Sequence, residues 1–393
     1  MRVKKKSEDV PVEKMSKKMK LESTIRTWIA KPVLAPELTE EPSYIEFYVG
    51  ILKDRKTISK AIQSISAVLP GFHHLKRCSY QKILICPCKE TLSKTNEEIS
   101  YVKENFNLSQ EKLKSFLINK GFDLTLLEDK FEIISVPLKA PKTKIQAAIA
   151  SKIWPINFHP DIRLESILSG KEFDDNQLNS MEKCMRLIIE AAKRESIGNE
   201  YCTGSAMIID PESGNILSLA AAKINLHPMY HASMLAIDLV AKLQGGGVWE
   251  LNSKISSENN TYDDKLENKK KFQGAIPLCY PASLSHIVFP ELEPFIKTRE
   301  KRLENLKDND TSKEGSYLCT GYWIFLLEEP CPLCAMALLH SRVNKIFYGK
   351  ANISSGVLGS KIVLHSLPGL NHRYQVWCGI LESECKQMTE TIS

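Results

Sequence analysis

Residues 330–334 read Pro-Cys-Pro-Leu-Cys, and no other stretch restricts the fold as tightly. Two cysteines three positions apart at the first turn of a helix put both sulfurs on one face, where the unpaired N–H groups favour the thiolate form. A second fragment, His231-Ala232-Ser233, opens an apolar run that reads as a helix to about Leu243 and is stopped by Gly245-Gly246-Gly247. One histidine and two cysteines make a donor set that zinc accepts with a fourth position left for water. His231, Cys331 and Cys334 are therefore the candidate zinc ligands, and two helix starts about a hundred residues apart have to meet. The chain carries 11 cysteines and its first 20 residues lack the apolar centre of a signal peptide. Reduced thiols in cytosol or nucleus are expected, and metal ligation rather than disulfides.

The runs around these fragments alternate between strand and helix periods. Leu178, Met181, Met185, Ile188, Ile189 and Ala192 share one face of a helix from about Asn176 to Glu195. Apolar runs 206–209 and 216–219 flank Asp210-Pro211-Glu212-Ser213-Gly214, a hairpin turn. Strands at 322–327 and 345–348 bracket the helix that begins at Pro332. Before this unit, residues 43–155 read as β-α-β-α-β-α, starting with the aromatic and β-branched run from Tyr44 to Ile51. The expected organisation is α/β throughout. A basic disordered tail (1–42) precedes an N-terminal α/β RNA-binding domain (43–155), a linker (156–174) and a zinc-binding domain (175–393) with a long insertion at 250–315. No apolar run approaches the roughly 20 residues that cross a bilayer, so no membrane contact is expected.

Helix, hairpin, helix with His, strand, helix with Pro-Cys-x-x-Cys, strand is the order of the zinc-dependent nucleobase deaminases. The string Tyr-Leu-Cys-Thr-Gly-Tyr from Tyr317, then Glu329-Pro-Cys-Pro-Leu-Cys-Ala-Met-Ala-Leu-Leu-His-Ser-Arg-Val, Phe347-Tyr-Gly and Leu370-Asn-His-Arg-Tyr resembles the third-type subunit of the eukaryotic tRNA adenosine deaminase, within the cytidine/deoxycytidylate deaminase-like superfamily. The match is dense over 200–243 and 317–383; in the N-terminal unit only Trp154-Pro155 echoes it. The resemblance implies a deaminase-type three-layer α/β/α domain that binds zinc. It also implies a heterodimer with a catalytic subunit that keeps His-x-Glu, the conversion of adenosine-34 to inosine at the tRNA wobble position, and an N-terminal domain that holds the tRNA body.

Ser233 departs from the catalytic pattern. Deamination needs a carboxylate two residues after the zinc histidine to carry protons from the metal-bound water to the purine and the leaving ammonia. A serine hydroxyl neither accepts nor stores a proton near neutral pH, and removing a general acid/base forfeits about 10²–10⁴ in rate. Among other carboxylates, Asp238 lies seven residues past His231, about 10 Å along a helix. Glu329 immediately precedes Pro-Cys, where a local structural role is expected. No catalytic residue is assigned. Two rival readings stay open: a self-sufficient deaminase using Glu329 or an unusual carboxylate, and a zinc-stabilised RNA-binding scaffold with no deaminase activity. The fourth metal position is likewise open among Cys319, Cys378, Cys385 and His340.

The charge distribution points to RNA. The chain holds 53 Lys and Arg against 47 Asp and Glu, a net +6, yet residues 1–20 carry eight basic side chains and three acidic ones. Clusters Lys4–Lys6 and Lys14–Lys20 suit nuclear import, and the expected location is nucleus and cytoplasm. Within the N-terminal unit His73, Lys76, Arg77, Lys82, Lys142 and Lys144 suit the phosphates of folded RNA, and the resemblance makes that RNA tRNA. His227 is expected to be a loop residue because Pro228 separates it from His231, and Cys86-Pro87-Cys88 lacks partners for a second metal.

Overall fold

A computed structural model of the chain describes residues 26–69, 72–88, 109–196, 204–250, 276–296 and 317–390. Strand β1 (Lys31–Pro32) belongs to the larger of two sheets, and the one-turn helix α1 (Pro36–Thr39) follows it. The smaller sheet combines β2 (Tyr44–Ile51), β3 (Cys78–Ser79), β4 (Lys82–Pro87) and β5 (Glu132–Pro137), all antiparallel in the order β3-β4-β2-β5. Helices α2 (Ile58–Val68) and α3 (Gln110–Asn119) cover one face. Each helix inserts two residues four apart, Ala61 with Ile65 and Leu113 with Leu117, against Ile83 and Ile85 of β4. The alternate residues of the same strands, Ile45, Phe47, Val49 and Leu84, close the second face over Val136 and Trp154. Trp154 donates its indole N–H to the Lys76 carbonyl at 2.7 Å, tying the end of α4 (Lys144–Ser151) back to the sheet.

The larger sheet has seven strands. Its elements are α5 (Ile162–Leu168), α6 (Asp175–Ser196), β6 (Ser205–Ile209), β7 (Ile216–Ala221), α7 (Ala232–Leu243), β8 (Leu278–Tyr280), β9 (Trp323–Glu328), α8 (Pro332–His340), β10 (Lys345–Lys350), β11 (Gln375–Cys378) and α9 (Glu382–Glu390). The strand order is β1-β11-β10-β9-β6-β7-β8. Strands β9, β10 and β11 run parallel, β7 and β8 run parallel, and β6 is antiparallel to both of its neighbours. Met181, Met185 and Ile188 of α6 and Cys385 of α9 pack on one face against Met207, Phe325 and Phe347. Leu235 and Leu239 of α7 and Leu338 of α8 pack on the other against Ile208, Ile324 and Ile346. Because helices cover both faces, β6 and β9 are apolar along their length with no alternation. This is the expected three-layer α/β/α arrangement.

Three expected boundaries are corrected. The tail expected to be disordered through residue 42 is ordered from residue 26: β1 pairs antiparallel with β11, and Trp28 and Ala30 enter the main core. The basic clusters of residues 1–20 lie outside the described residues. The expected linker 156–174 contains α5 and buries Ile167 and Phe173, with Lys345 reaching Glu172 at 3.1 Å. In the expected insertion, residues 276–296 supply β8 and bury Leu284, Ile287 and Phe295. All three segments hold only short elements, of two to seven residues, that show no clear period. The rest of 250–315 other than residue 250 lies outside the described residues.

Helix α9 crosses β10 at Gly349, where an added Cβ would collide with the Cys385 sulfur. Neither atom has a flexible end to withdraw. Gly349→Ala is expected to cost about 1–3 kcal/mol by overpacking, read as a lowered urea midpoint with an unchanged slope.

Candidate metal centre

The two half-sites converge as caps of neighbouring helices on the same side of the large sheet. His231 is the N-cap of α7 and makes no side-chain capping hydrogen bond, so its ring is not spent on the helix. Cys331 is the N-cap of α8 with Pro332 at the first helical position, where a missing N–H costs nothing. Cys334 follows on the first turn. The His231 nitrogen and both sulfurs lie within 4.8 Å of one another, and the Cys331 sulfur is 3.9 Å from His231 Nδ1. Tetrahedral zinc with ligands at about 2.0–2.3 Å needs edges of roughly 3.5–3.8 Å, so small side-chain adjustments close this set around an ion. Among the described residues no carboxylate, and none of Cys319, Cys378, Cys385 or His340, joins the cluster.

The two thiols divide one proton. Cys331 is pulled down to about 5, first by the hydrogen bond from the Cys334 thiol, then by the N–H groups of the helix start and by His231, against the burial that raises it. Cys334 is pushed up, first by that same bond to Cys331, then by burial. Ser233 acts in the opposite direction on Cys334, because its hydroxyl donates to the sulfur. Ser233 is 5% exposed. At the position where a deaminase carries its proton shuttle, this chain has a buried hydroxyl beside a candidate metal-ligand sulfur.

The rival carboxylates are held elsewhere. Glu329, 2% exposed, accepts from the backbone N–H groups of Asn352, Leu358 and Ser360 at 3.0, 2.8 and 3.0 Å, and also from the Ser360 hydroxyl. Its acceptor sites are filled by the 352–360 loop, and Gly356 packs so closely that a Cβ would collide with the carboxylate. Asp238 accepts from Val248 N–H at 2.6 Å, beyond the end of α7. The structural role expected for Glu329 is what the geometry supplies. His227 accepts the Met229 N–H at 3.1 Å within the loop. Cys86 is a half-buried thiol pushed up to about 12, first by desolvation and then by the neighbouring Cys88, outside any metal cluster among the described residues.

A buried ion pair that sequence reading missed holds the loop leading to His231. Lys223 meets Glu195 at 2.7 Å with side chains 9% and 8% exposed. The Lys223 main chain donates to Tyr230 and accepts from Leu226 and His227. The only local signal was a lysine closing the apolar run Ile216–Ala222.

The candidate RNA residues separate. Arg77 turns its guanidinium onto the carbonyls of Leu69, Leu84 and Ile85. Lys82 pairs with Glu132 at 2.5 Å, and Lys142 pairs with Glu37. Arg77 is spent inside the fold, a correction to its selection, while Lys82 and Lys142 stand at the surface paired with carboxylates that local charge counting does not see. His73, Lys76 and Lys144 have exposed side chains.

A three-layer sheet with a His-plus-Cys-Pro-x-Cys donor set at two helix starts defines a domain of the zinc nucleobase deaminase type. No family model matches the chain. A Danio rerio protein named "probable inactive tRNA-specific adenosine deaminase-like protein 3" is 29% identical over 374 residues, covering 92% of this chain and 94% of that protein. The Arabidopsis thaliana "tRNA-specific adenosine deaminase TAD3" is 28% identical over 424 residues, covering 91% and 96%. A Bacillus subtilis "tRNA-specific adenosine deaminase" is 35% identical over 128 residues, covering 32% of this chain and 80% of that protein. The chain belongs to the tRNA-specific adenosine deaminase family, among its third-type subunits.

The depressed Cys331 thiol gives a direct check. In chelator-treated protein, iodoacetamide is expected to modify Cys331 at a rate that is flat at neutral pH and half-maximal near pH 5. An ordinary thiol would instead gain rate through its usual value near 9. Added zinc should protect Cys331, with the site read by peptide mass mapping.

Proposed function

We propose that this chain is the catalytically silent, zinc-holding subunit of a heterodimeric tRNA adenosine deaminase. Its partner, a subunit carrying His-x-Glu, converts adenosine-34 to inosine while this chain positions the tRNA. The observation that carries the reading is Ser233, a buried hydroxyl where the proton-shuttle carboxylate would stand, with the rival carboxylate of Glu329 saturated by four hydrogen bonds. A group that neither gives nor takes a proton at neutral pH cannot serve as the general acid/base.

His231, Cys331 and Cys334 would hold zinc, and bound zinc supplies a cross-link between two helix starts that contributes on the order of several kcal/mol to folding. Ser233 then orients and stabilises the Cys334 thiolate, as outer hydrogen-bond donors do around metal ligands. The partner is accommodated by the outer faces of α7 and α8. Leu333 and Met336 are exposed on α8, and Met234 and Ile237 form a half-buried stripe three apart on α7. Leu338 and Leu339 of the same helix are buried in the core. The exposed His73, Lys76 and Lys144 are available to tRNA phosphates. We place the assembly in nucleus and cytoplasm, with import through the basic clusters at Lys4–Lys6 and Lys14–Lys20.

Purified alone with zinc content verified, the chain is expected to form inosine on an adenosine-34 tRNA at least about a hundredfold more slowly than the co-expressed pair. Robust inosine formation by the isolated chain refutes the assignment. Leu333→Asp combined with Met336→Asp is expected to abolish co-purification of the partner while zinc content is retained.

A further inference from the structure

Three separate segments meet beside the candidate metal centre and bring four aromatic rings together. Tyr230, the residue before His231, packs edge-on against Trp249 and Tyr280, with ring centroids 5.1 and 5.9 Å apart. His227 lies 4.9 Å from Tyr230 with its plane tilted by 35°. His227 is exposed, and Tyr230, Trp249 and Tyr280 are half-buried. Leu226 and Val248, the chain neighbours of His227 and Trp249, are 66% and 86% exposed. Large apolar side chains left in water beside half-covered rings mark a contact surface rather than a core.

The rings are held in fixed places. The Lys223 N–H donates to the Tyr230 carbonyl at 2.9 Å, and Lys223 is itself fixed by Glu195. The Val248 N–H donates to Asp238 at 2.6 Å, which pins the turn that carries Trp249. Tyr280 ends β8 and pairs with Ala220 of β7. The polar tips of the rings are not spent on this framework. Buried Tyr and Trp usually give their O–H and N–H to a partner. Here the Tyr230 and Tyr280 hydroxyls and the Trp249 indole N–H make no hydrogen bond among the described residues, and none of the three is sealed from solvent. His227 accepts the Met229 N–H on Nδ1, which puts the ring proton of its neutral form on Nε2 as a further donor.

A flat ligand with donors and acceptors along its edge suits such a surface. An unpaired nucleobase is one: in single-stranded loops bases splay out, stack on Tyr, Trp and His rings, and hydrogen-bond through their edges. We propose that His227, Tyr230, Trp249 and Tyr280 form a stacking site for an unpaired base of the tRNA anticodon loop, one other than the adenosine that reacts. The inference rests on the reading that the chain handles tRNA for a catalytic partner. The reacting adenosine has to enter a centre that keeps a proton shuttle, so the base held on this subunit is a different one. Stacking it fixes the loop while the partner acts.

The test measures binding of the full chain, co-purified with its partner, to an adenosine-34 tRNA ligated from synthetic halves, so that single loop nucleotides can be made abasic. Trp249→Leu is expected to lower affinity by about tenfold, the scale of one base–aromatic stack. The slope of log affinity against log salt should stay unchanged, because no phosphate contact is lost. Removing one loop base other than adenosine-34 is expected to cost the unaltered complex a similar factor and to cost the Trp249→Leu complex nothing further. Zinc content should not change. If Trp249→Leu fails to fold, His227→Asn, which keeps an acceptor for Met229 and removes an exposed ring, carries the same expectation. Full affinity in the variants, or an abasic penalty that persists in them at every loop position, overturns the stacking site while leaving tRNA binding intact. Failure of the unaltered complex to bind the tRNA overturns both readings. Loss of the partner subunit with tRNA affinity intact overturns the site and assigns the rings to that subunit.

Discussion

Two helices that begin on the same side of the large sheet, α7 after β7 and α8 after β9, bring a nitrogen and two sulfurs within 4.8 Å of one another. Everything chemical about the domain follows from that convergence. The strands have to be apolar on both sides because helices cover both faces, and the loops delivering the caps have to be rigid. The Lys223–Glu195 pair braces one of them and the Glu329 carboxylate braces the other side of the centre. Breaking a buried pair of this kind by removing one member typically costs about 3–5 kcal/mol, since the survivor stays buried and unpaired.

The centre differs from a catalytic one by more than a missing carboxylate. Ser233 favours the Cys334 thiolate, and Glu329 is saturated by three backbone N–H groups and the Ser360 hydroxyl. A site that retains its donor set while its proton path is replaced by static hydrogen bonds is organised for stability and shape. The same economy is visible in the basic residues of the small sheet, where Arg77 caps carbonyls and Lys82 answers Glu132. Such exposed or half-exposed pairs contribute only about 0–1 kcal/mol each.

Reading the chain residue by residue was enough to name the two halves of the candidate metal site, their helix starts, the hairpin between β6 and β7, and the apolar strands, because each of these is written in spacing and periodicity over fewer than about 20 residues. The absence of a proton shuttle was equally readable, since it turns on one side chain beside His231. Packing settled the rest: which carboxylate is engaged, which lysines are already paired, that residues 26–42 and 276–296 complete the large sheet, and that Tyr230, Trp249 and Tyr280 from three segments pack ring against ring. Those facts depend on contacts between distant segments, and a linear pattern carries no record of which distant side chain arrives to meet a given donor, acceptor or charge.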